Sequence, residues 1–229
     1  MLEPPGHAPH LWRMARTLKI DLFTDTVCPW CLVGTARLDK AVAKLPPDVV
    51  VDIERHPFYL DPDTPPEGHD VGEMLRLKYR RDPREIWARC EAEARKSGID
   101  LDLSRQPRTF PTQKGHTLVR LARVKGTQHA LASDIAWTYF MDHRQINDDE
   151  VLAEIAMRHG YAREEALQVV RDPDELGITH DMAVDAMRAG IQGVPFFVFD
   201  NRFSLSGCMP EEVFDRALRI AIGDEVMPA

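Results

Sequence analysis

Strand-forming sequence in this chain is confined to its two ends, and that distribution limits the fold more than any other feature. Near the start, Leu18, Ile20 and Leu22 alternate with Lys19, Asp21 and Phe23, the period of a strand with a buried face. From about Pro29 to Leu45, the residues Val33, Ala36, Leu38, Ala41 and Leu45 fall at helical spacing, and Pro46-Pro47 ends the run. The short β-branched stretch from Val49 to Ile53 then reads as a buried strand. Strand, helix, strand at this spacing is a βαβ unit with a right-handed crossover.

After the proline-rich loop from His56 to Asp70, helical patterns run from Val71 to about Ala189 with almost no strand signal. "DPREIWARCEAEARKSG" has a first-turn proline and ends at Gly98. Thr117, Leu118, Leu121 and Val124 continue the helical spacing, and "ALASDIAWTYFMDH" places Leu131, Ile135, Trp137, Tyr139 and Phe140 in one helix. "NDDEVLAEIAMRHG" opens at Asn147 and closes at Gly160, and "THDMAVDAMRAG" ends at Gly190. Strands return in "VPFFVFD" and "RFSLSG", joined at a hairpin turn, Asp200-Asn201. "PEEVFDRALRIAIG" forms the last helix, begun by Pro210 and two glutamates. The order is βαβ, a helical block, then ββα.

A chain of 229 residues is long enough for one large domain or two small ones. A net charge of −8 argues against a nucleic-acid surface, and no apolar stretch approaches the length of a membrane span. Residues 1–16 read as a flexible extension. Pro4, Pro5, Pro9, His7 and His10 break any continuous apolar signal, and Met14 is an alternative start. Without a secretory signal the expected compartment is the cytoplasm, where stable structural disulfides are uncommon. Four cysteines are also too few for a disulfide scaffold.

Cys28-Pro29-Trp30-Cys31 lies between the first strand and the first helix. A structural zinc site requires four ligands, but Cys90 and Cys208 are single and no histidine pair has ligand spacing, so no metal is expected. Redox chemistry explains more. With the helix beginning near Pro29, Cys28 sits where unpaired backbone N–H groups and the helix dipole stabilise an anion. A thiolate is the nucleophile of disulfide exchange, so this placement activates Cys28. Cys31, one turn on and on the same face, is positioned to close the ring and should be the more buried of the two. Pro29 at a first-turn position loses no intrahelical hydrogen bond.

A second feature lies far along the chain: "GVPFFVFD" puts Pro195 directly before a strand, either as a plain edge-strand start or as a special peptide bond. "CPWC" after a strand, "GVPFFVFD" before a hairpin, and "ERHPFYLDPD", "DDEVLAEIA" and "FSLSG" together resemble the DsbA-like thioredoxin superfamily, and within it the FrnE-like oxidoreductases. The likeness spans roughly Ile20 to Ile222. It implies an α/β thioredoxin-like fold made of residues 17–62 and 191–225, with an inserted all-helical subdomain, 63–190. It further implies a cis Val194–Pro195 bond facing the cysteines, beside which substrate backbone pairs like an added strand.

Two departures from the family pattern bear on chemistry. The buried acid that many relatives carry six residues before the first cysteine is Leu22 here, so proton transfer at Cys31 needs another group. Asp25 and His56 are candidates by their proximity to strand ends, although a capping role for Asp25 and simple packing for His56 are the plainer readings. Strongly oxidising relatives have a histidine before the second cysteine; Trp30 carries no charge there. With Pro29 and Trp30 tuning the pair, the expected potential lies between the strong oxidant and thioredoxin, roughly −120 to −270 mV.

The expected activity is thiol–disulfide exchange on protein or small-molecule thiols. Cys28 forms the mixed disulfide, Cys31 resolves it, and Val194 and Pro195 position substrate. No bound cofactor is required, because the Cys28–Cys31 disulfide itself carries two electrons; glutathione or another thiol is open as reductant, and the recycling partner is unnamed by the sequence. A kappa-class or 2-hydroxychromene-2-carboxylate isomerase type of glutathione enzyme is a rival, although such relatives have Ser at the position of Cys28 and Ser-Asp where this chain has Cys208-Met209. A non-catalytic chaperone is the other rival. The helical insertion offers either a homodimer surface or a substrate lid. Cys90 and Cys208 read as packing residues, Cys208 with the sharper alternative of a third thiol near the site. Phe110, Trp137, Tyr139 and Phe140 read as core more readily than as a groove.

Overall fold

The computed structural model describes residues 16–226. Met14 and all of the expected extension except Arg16 lie outside the described residues. Strand β1 (Arg16–Thr24), helix α1 (Pro29–Val42) and strand β2 (Val49–Pro57) form the first unit, with β1 and β2 parallel from Arg16 opposite Val49 to Thr24 opposite Pro57. Helix α1 stops three residues before the expected end because tight turns, Lys44 N–H to Ala41 O and Leu45 N–H to Val42 O, replace the α pattern. Strand β2 runs four residues beyond Ile53. Glu54, Arg55 and His56 are poor strand formers, but β1 continues beside them and supplies their ladder partners.

The block that follows holds β3 (His69–Asp70), α2 (Val71–Tyr79), α3 (Pro83–Lys96), β4 (Arg108–Thr109), α4 (Gln113–Leu121), α5 (Gln128–Phe140), α6 (Asp149–Met157), α7 (Arg163–Arg171) and α8 (Pro173–Arg188). Strands β3 and β4 pair antiparallel over two residues each, too short to leave a pattern in the sequence. The side chains of Asp70, Asp82, Asp148 and Asp172 cap α2, α3, α6 and α8 by accepting from first-turn N–H groups. Asp148 thus takes the capping place expected of Asn147. Val124, expected on a helix face, lies in a 3-10 turn after α4 and is exposed.

Strands β5 (Phe196–Phe199) and β6 (Phe203–Ser206) and helix α9 (Glu211–Ala221) close the chain. The sheet order is β2-β1-β5-β6, so β2 is an edge strand and not a buried one; Val50 is 51% exposed. Asp200 and Asn201 both adopt positive φ in the β5–β6 turn, as a tight hairpin with matching twist requires. Asp200 Oδ1 also accepts from Lys19 N–H at 2.9 Å, tying the turn to β1.

The period-two pattern sorts the sheet's faces. Leu18, Ile20, Leu22, Phe197 and Phe199 are fully buried against Leu38 and Ala41 of α1 and Phe214, Ala217 and Leu218 of α9. Phe23 and Phe196 face the other way, against Phe58, Ala186 of α8 and Ile191. A larger core fills the helical block, with Leu118, Leu131, Ile135 and Leu152 fully buried, and Leu32 and Val33 join α1 to it. Each such side chain contributes about 1.5–3 kcal/mol on burial. Helix α1 is therefore held from two sides, with its N-terminus between them. Among the described residues no helix is long and apolar enough to cross a membrane.

Candidate active site

The turn from Asp25 to Cys28, closed by Cys28 N–H to Asp25 O at 3.1 Å, delivers the chain from β1 into α1. Cys28 is the N-cap in extended conformation, Pro29 takes the first turn, and Cys31 N–H donates to Cys28 O at 3.0 Å. Both sulfurs are free thiols. The expected difference in exposure is absent: Cys28 is 4% and Cys31 3% exposed, because the loop before β5 covers Cys28, whose Sγ donates to Val194 O at 3.8 Å. Cys31 is set apart by its place inside the first turn of α1. Burial pushes the Cys31 thiol well above its ordinary pKa, and its hydrogen bond to Cys28, the Cys28 charge and the Asp25 charge push the same way; a backbone hydrogen bond at Asp25 opposes them.

The Val194–Pro195 bond is cis, and Pro195 O accepts from Gly207 N–H at 2.8 Å. Gly34 of α1 lies beneath the proline ring, so close that a Cβ there would stand 3.0 Å from Pro195 Cγ. Trp30 is half-buried against the helical core, with the Arg89 guanidinium 5.9 Å from its ring.

The two acid–base candidates part company. Asp25, 2% exposed, accepts from Leu60 N–H at 2.8 Å through Oδ2, and its Oδ1 lies 3.3 Å from His116 Nε2. His56 is bonded to Asp21 at 2.7 Å and stacked on Phe23, on the sheet face opposite α1. Asp25 thus stands beside Cys31 and His56 does not. Asp21, Glu54 and His56 have metal-holding spacing, but Lys19 Nζ lies 3.1 Å from each carboxylate and takes the cation's place.

Sequence reasoning missed His116, Tyr59 and Arg55. The Tyr59 hydroxyl is buried without a partner among the described residues, and its ring lies 5.8 Å from that of His116. Arg55, 5% exposed, reaches a cavity of about 60 Å³ behind Cys31, lined also by Thr24, Asp25, Thr35 and His116. Trp137, 41% exposed, lines this cavity, whereas Phe110, Tyr139 and Phe140 are core.

Cys208 packs against the helical core, with its Sγ 3.5 Å from Arg37 Nη1. Burial pushes its thiol up to about 11 although Arg37 opposes this. Cys90 is pushed higher, again chiefly by burial. Arg37, 3% exposed, pairs with Glu93 at 2.7 Å and donates to Met209 O at 2.9 Å, joining α1, α3 and the segment after β6.

A family model, the DSBA-like thioredoxin domain, matches residues 19–219. The chain is similar to a solved structure from Streptomyces coelicolor described as a probable DsbA oxidoreductase, with 32% identity, a TM-score of 0.80 and 93% of each chain covered. It is similar in fold to the cytosolic disulfide reductase DsbM of Pseudomonas aeruginosa solved with GSH, at 17% identity and a TM-score of 0.63 over 90% of this chain and 99% of that one. The uncharacterized protein YwbO of Bacillus subtilis is 23% identical over 88% of this chain and 96% of its own. With a thiol pair at a strand–helix junction and a family match running from β1 into α9, the chain belongs to the DSBA-like thioredoxin domain family.

Proposed function

We propose that this protein is a thiol–disulfide oxidoreductase of the FrnE-like kind, working through a mixed disulfide. The observation that carries the proposal is geometric: Cys28 is the N-cap of α1 with its Sγ on Val194 O beside the cis Val194–Pro195 bond, and buried Cys31 lies one turn on along the same helix, which makes Cys28 the attacking sulfur and Cys31 the resolving one. In the reducing direction the Cys28 thiolate attacks a substrate disulfide, forming a Cys28–substrate bond and expelling one substrate thiolate. Cys31 then loses its proton toward Asp25 and attacks Cys28 Sγ. The Cys28–Cys31 disulfide forms, the second substrate sulfur leaves, and two electrons have passed to substrate. The oxidising direction is the same sequence reversed.

Val194 and Pro195 position the substrate, with Val194 O beside the reacting sulfur. Pro29 and Trp30 tune the pair without adding charge. The protein acts in the cytoplasm on protein or small-molecule thiols, with no bound cofactor, and glutathione or another thiol resets the pair. Cys31→Ser should accumulate a covalent mixed disulfide at Cys28 with a model disulfide substrate, read by non-reducing mass spectrometry. Absence of any Cys28 adduct in that variant would overturn the proposal.

A further inference from the structure

Arg55 is a buried cation with no carboxylate in contact among the described residues, and a lone buried charge is costly. Its Nε donates to His129 Nδ1 at 3.0 Å and its Nη2 to Ser133 Oγ at 3.2 Å. Its Nη1 reaches the hydroxyls of Thr24 and Thr35, each at a long 3.4 Å. Because His129 Nδ1 accepts from Arg55, the imidazole proton sits on Nε2 and is donated to Asp39 Oδ1 at 2.8 Å. Burial, then the Arg55 charge, lowers the His129 pKa against the hydrogen bond and charge of Asp39, and the ring is neutral because its Nδ1 accepts from Arg55. The nearest carboxylate along this chain of bonds is therefore one imidazole away, while the guanidinium shares a cavity of about 60 Å³ with Cys31.

Resolution of a mixed disulfide requires Cys31 to become a thiolate inside this cavity. Burial and Cys28 oppose that charge; the Asp25 carboxylate adds to them, but a backbone hydrogen bond at Asp25 outweighs that part and favours the thiolate. We propose that Arg55 is a positioning residue for charge: its guanidinium stabilises the Cys31 thiolate across the cavity, and Asp39, acting through neutral His129, moderates its field. This rests on the oxidoreductase function proposed above. In the step concerned, the Cys31 proton passes to Asp25, the Cys31–Cys28 bond forms, and the Cys28–substrate bond breaks with its electron pair leaving on the substrate sulfur. Burial lowers the Arg55 pKa only to about 10, with Asp39 and Cys31 opposing the fall, so the cation persists at neutral pH. The other titratable groups facing the site are Asp25 from the turn before α1, Cys28 at its N-cap, Asp39 from α1, Tyr59 after β2, His116 from α4 and His129 from α5.

The test uses the full chain in a Cys28→Ser background, following Cys31 alkylation against pH and assigning it by peptide mass spectrometry apart from Cys90 and Cys208. The readout is the midpoint of the profile and not its plateau, because altered access or packing moves the plateau. Arg55→Gln should move the midpoint up by about one pH unit, a loss of roughly tenfold in reactive thiolate at a fixed pH below it. Asp39→Asn keeps the hydrogen bond from His129 but removes the charge, and should move the midpoint down. An unchanged midpoint in folded Arg55→Gln overturns the proposal. If Arg55→Gln does not fold, an unchanged or raised midpoint in Asp39→Asn overturns it. The oxidoreductase function fails separately, through loss of a reversible Cys28–Cys31 transition in the unaltered protein.

Discussion

Gly34→Ala sets helix stability against the site. Gly34 lies inside α1, where alanine is favoured over glycine by about 0.5–1 kcal/mol. The new methyl would stand 3.0 Å from Pro195 Cγ and 3.4 Å from Phe197 Cζ. Contacts become ordinary at about 3.4 Å, so Phe197 can stay and Pro195 must retreat by a few tenths of an ångström. Overpacking of this kind costs about 1–3 kcal/mol, which leaves a net destabilisation of about 0–2.5 kcal/mol. The retreat also carries Val194 O away from Cys28 Sγ; since a misplacement near 1 Å can cost about a hundredfold in rate, a few tenths of an ångström should cost roughly fourfold. Urea unfolding and the initial rate of disulfide reduction, measured on the same preparation, read the two effects. A variant stabilised by the full helix-propensity gain, with an unchanged rate, would refute the reasoning that α1 sets the position of Pro195.

Three further outcomes follow from the packing. Glu93→Gln removes the carboxylate paired with buried Arg37; because Glu93 is 30% exposed and Arg37 keeps its bonds to Ser97 Oγ and Met209 O, the loss should be about 1 kcal/mol at neutral pH in denaturant unfolding. Arg37, then Lys96, pulls the Glu93 pKa down to about 2, below its unfolded value, so this stabilisation is complete above the unfolded pKa and lost as pH falls through about 2. The variant's acid-unfolding curve should accordingly be flatter over that window. Phe214→Ala, at a fully buried ring 4.9 Å from that of Phe197, should destabilise by about 3–5 kcal/mol, read by thermal or urea unfolding.

The site was legible in the sequence where one local rule sufficed. Cys28-Pro29-Trp30-Cys31 states its own geometry, because a strand, a first-turn proline and a helical period fix where both sulfurs lie. Leu18, Ile20 and Leu22 likewise declared their face by alternation. What stayed hidden depends on pairing between distant segments. The extension of β2 to Pro57 comes from β1 beside it, and without that extension Arg55 reads as a loop residue. Within the longer strand, Val51, Ile53 and Arg55 share one parity, which is the signal that puts an arginine on the core side of the sheet. His116 and His129 come from α4 and α5, and no spacing rule links them to Asp25 or Arg55. Asp25 was named for its nearness to a strand end, but its partners could be found only in three dimensions.

The central claim is that Cys28 and Cys31 form a reversible redox pair. A titration of the purified full chain across thiol–disulfide buffers of known potential, read by differential alkylation and mass spectrometry with bound metal quantified in parallel, tests it most directly. The account predicts one two-electron transition confined to Cys28 and Cys31, with a midpoint between roughly −120 and −270 mV, and its loss in Cys28→Ser. Cysteines that stay reduced across that range, or that are protected by a stoichiometric metal, would contradict it.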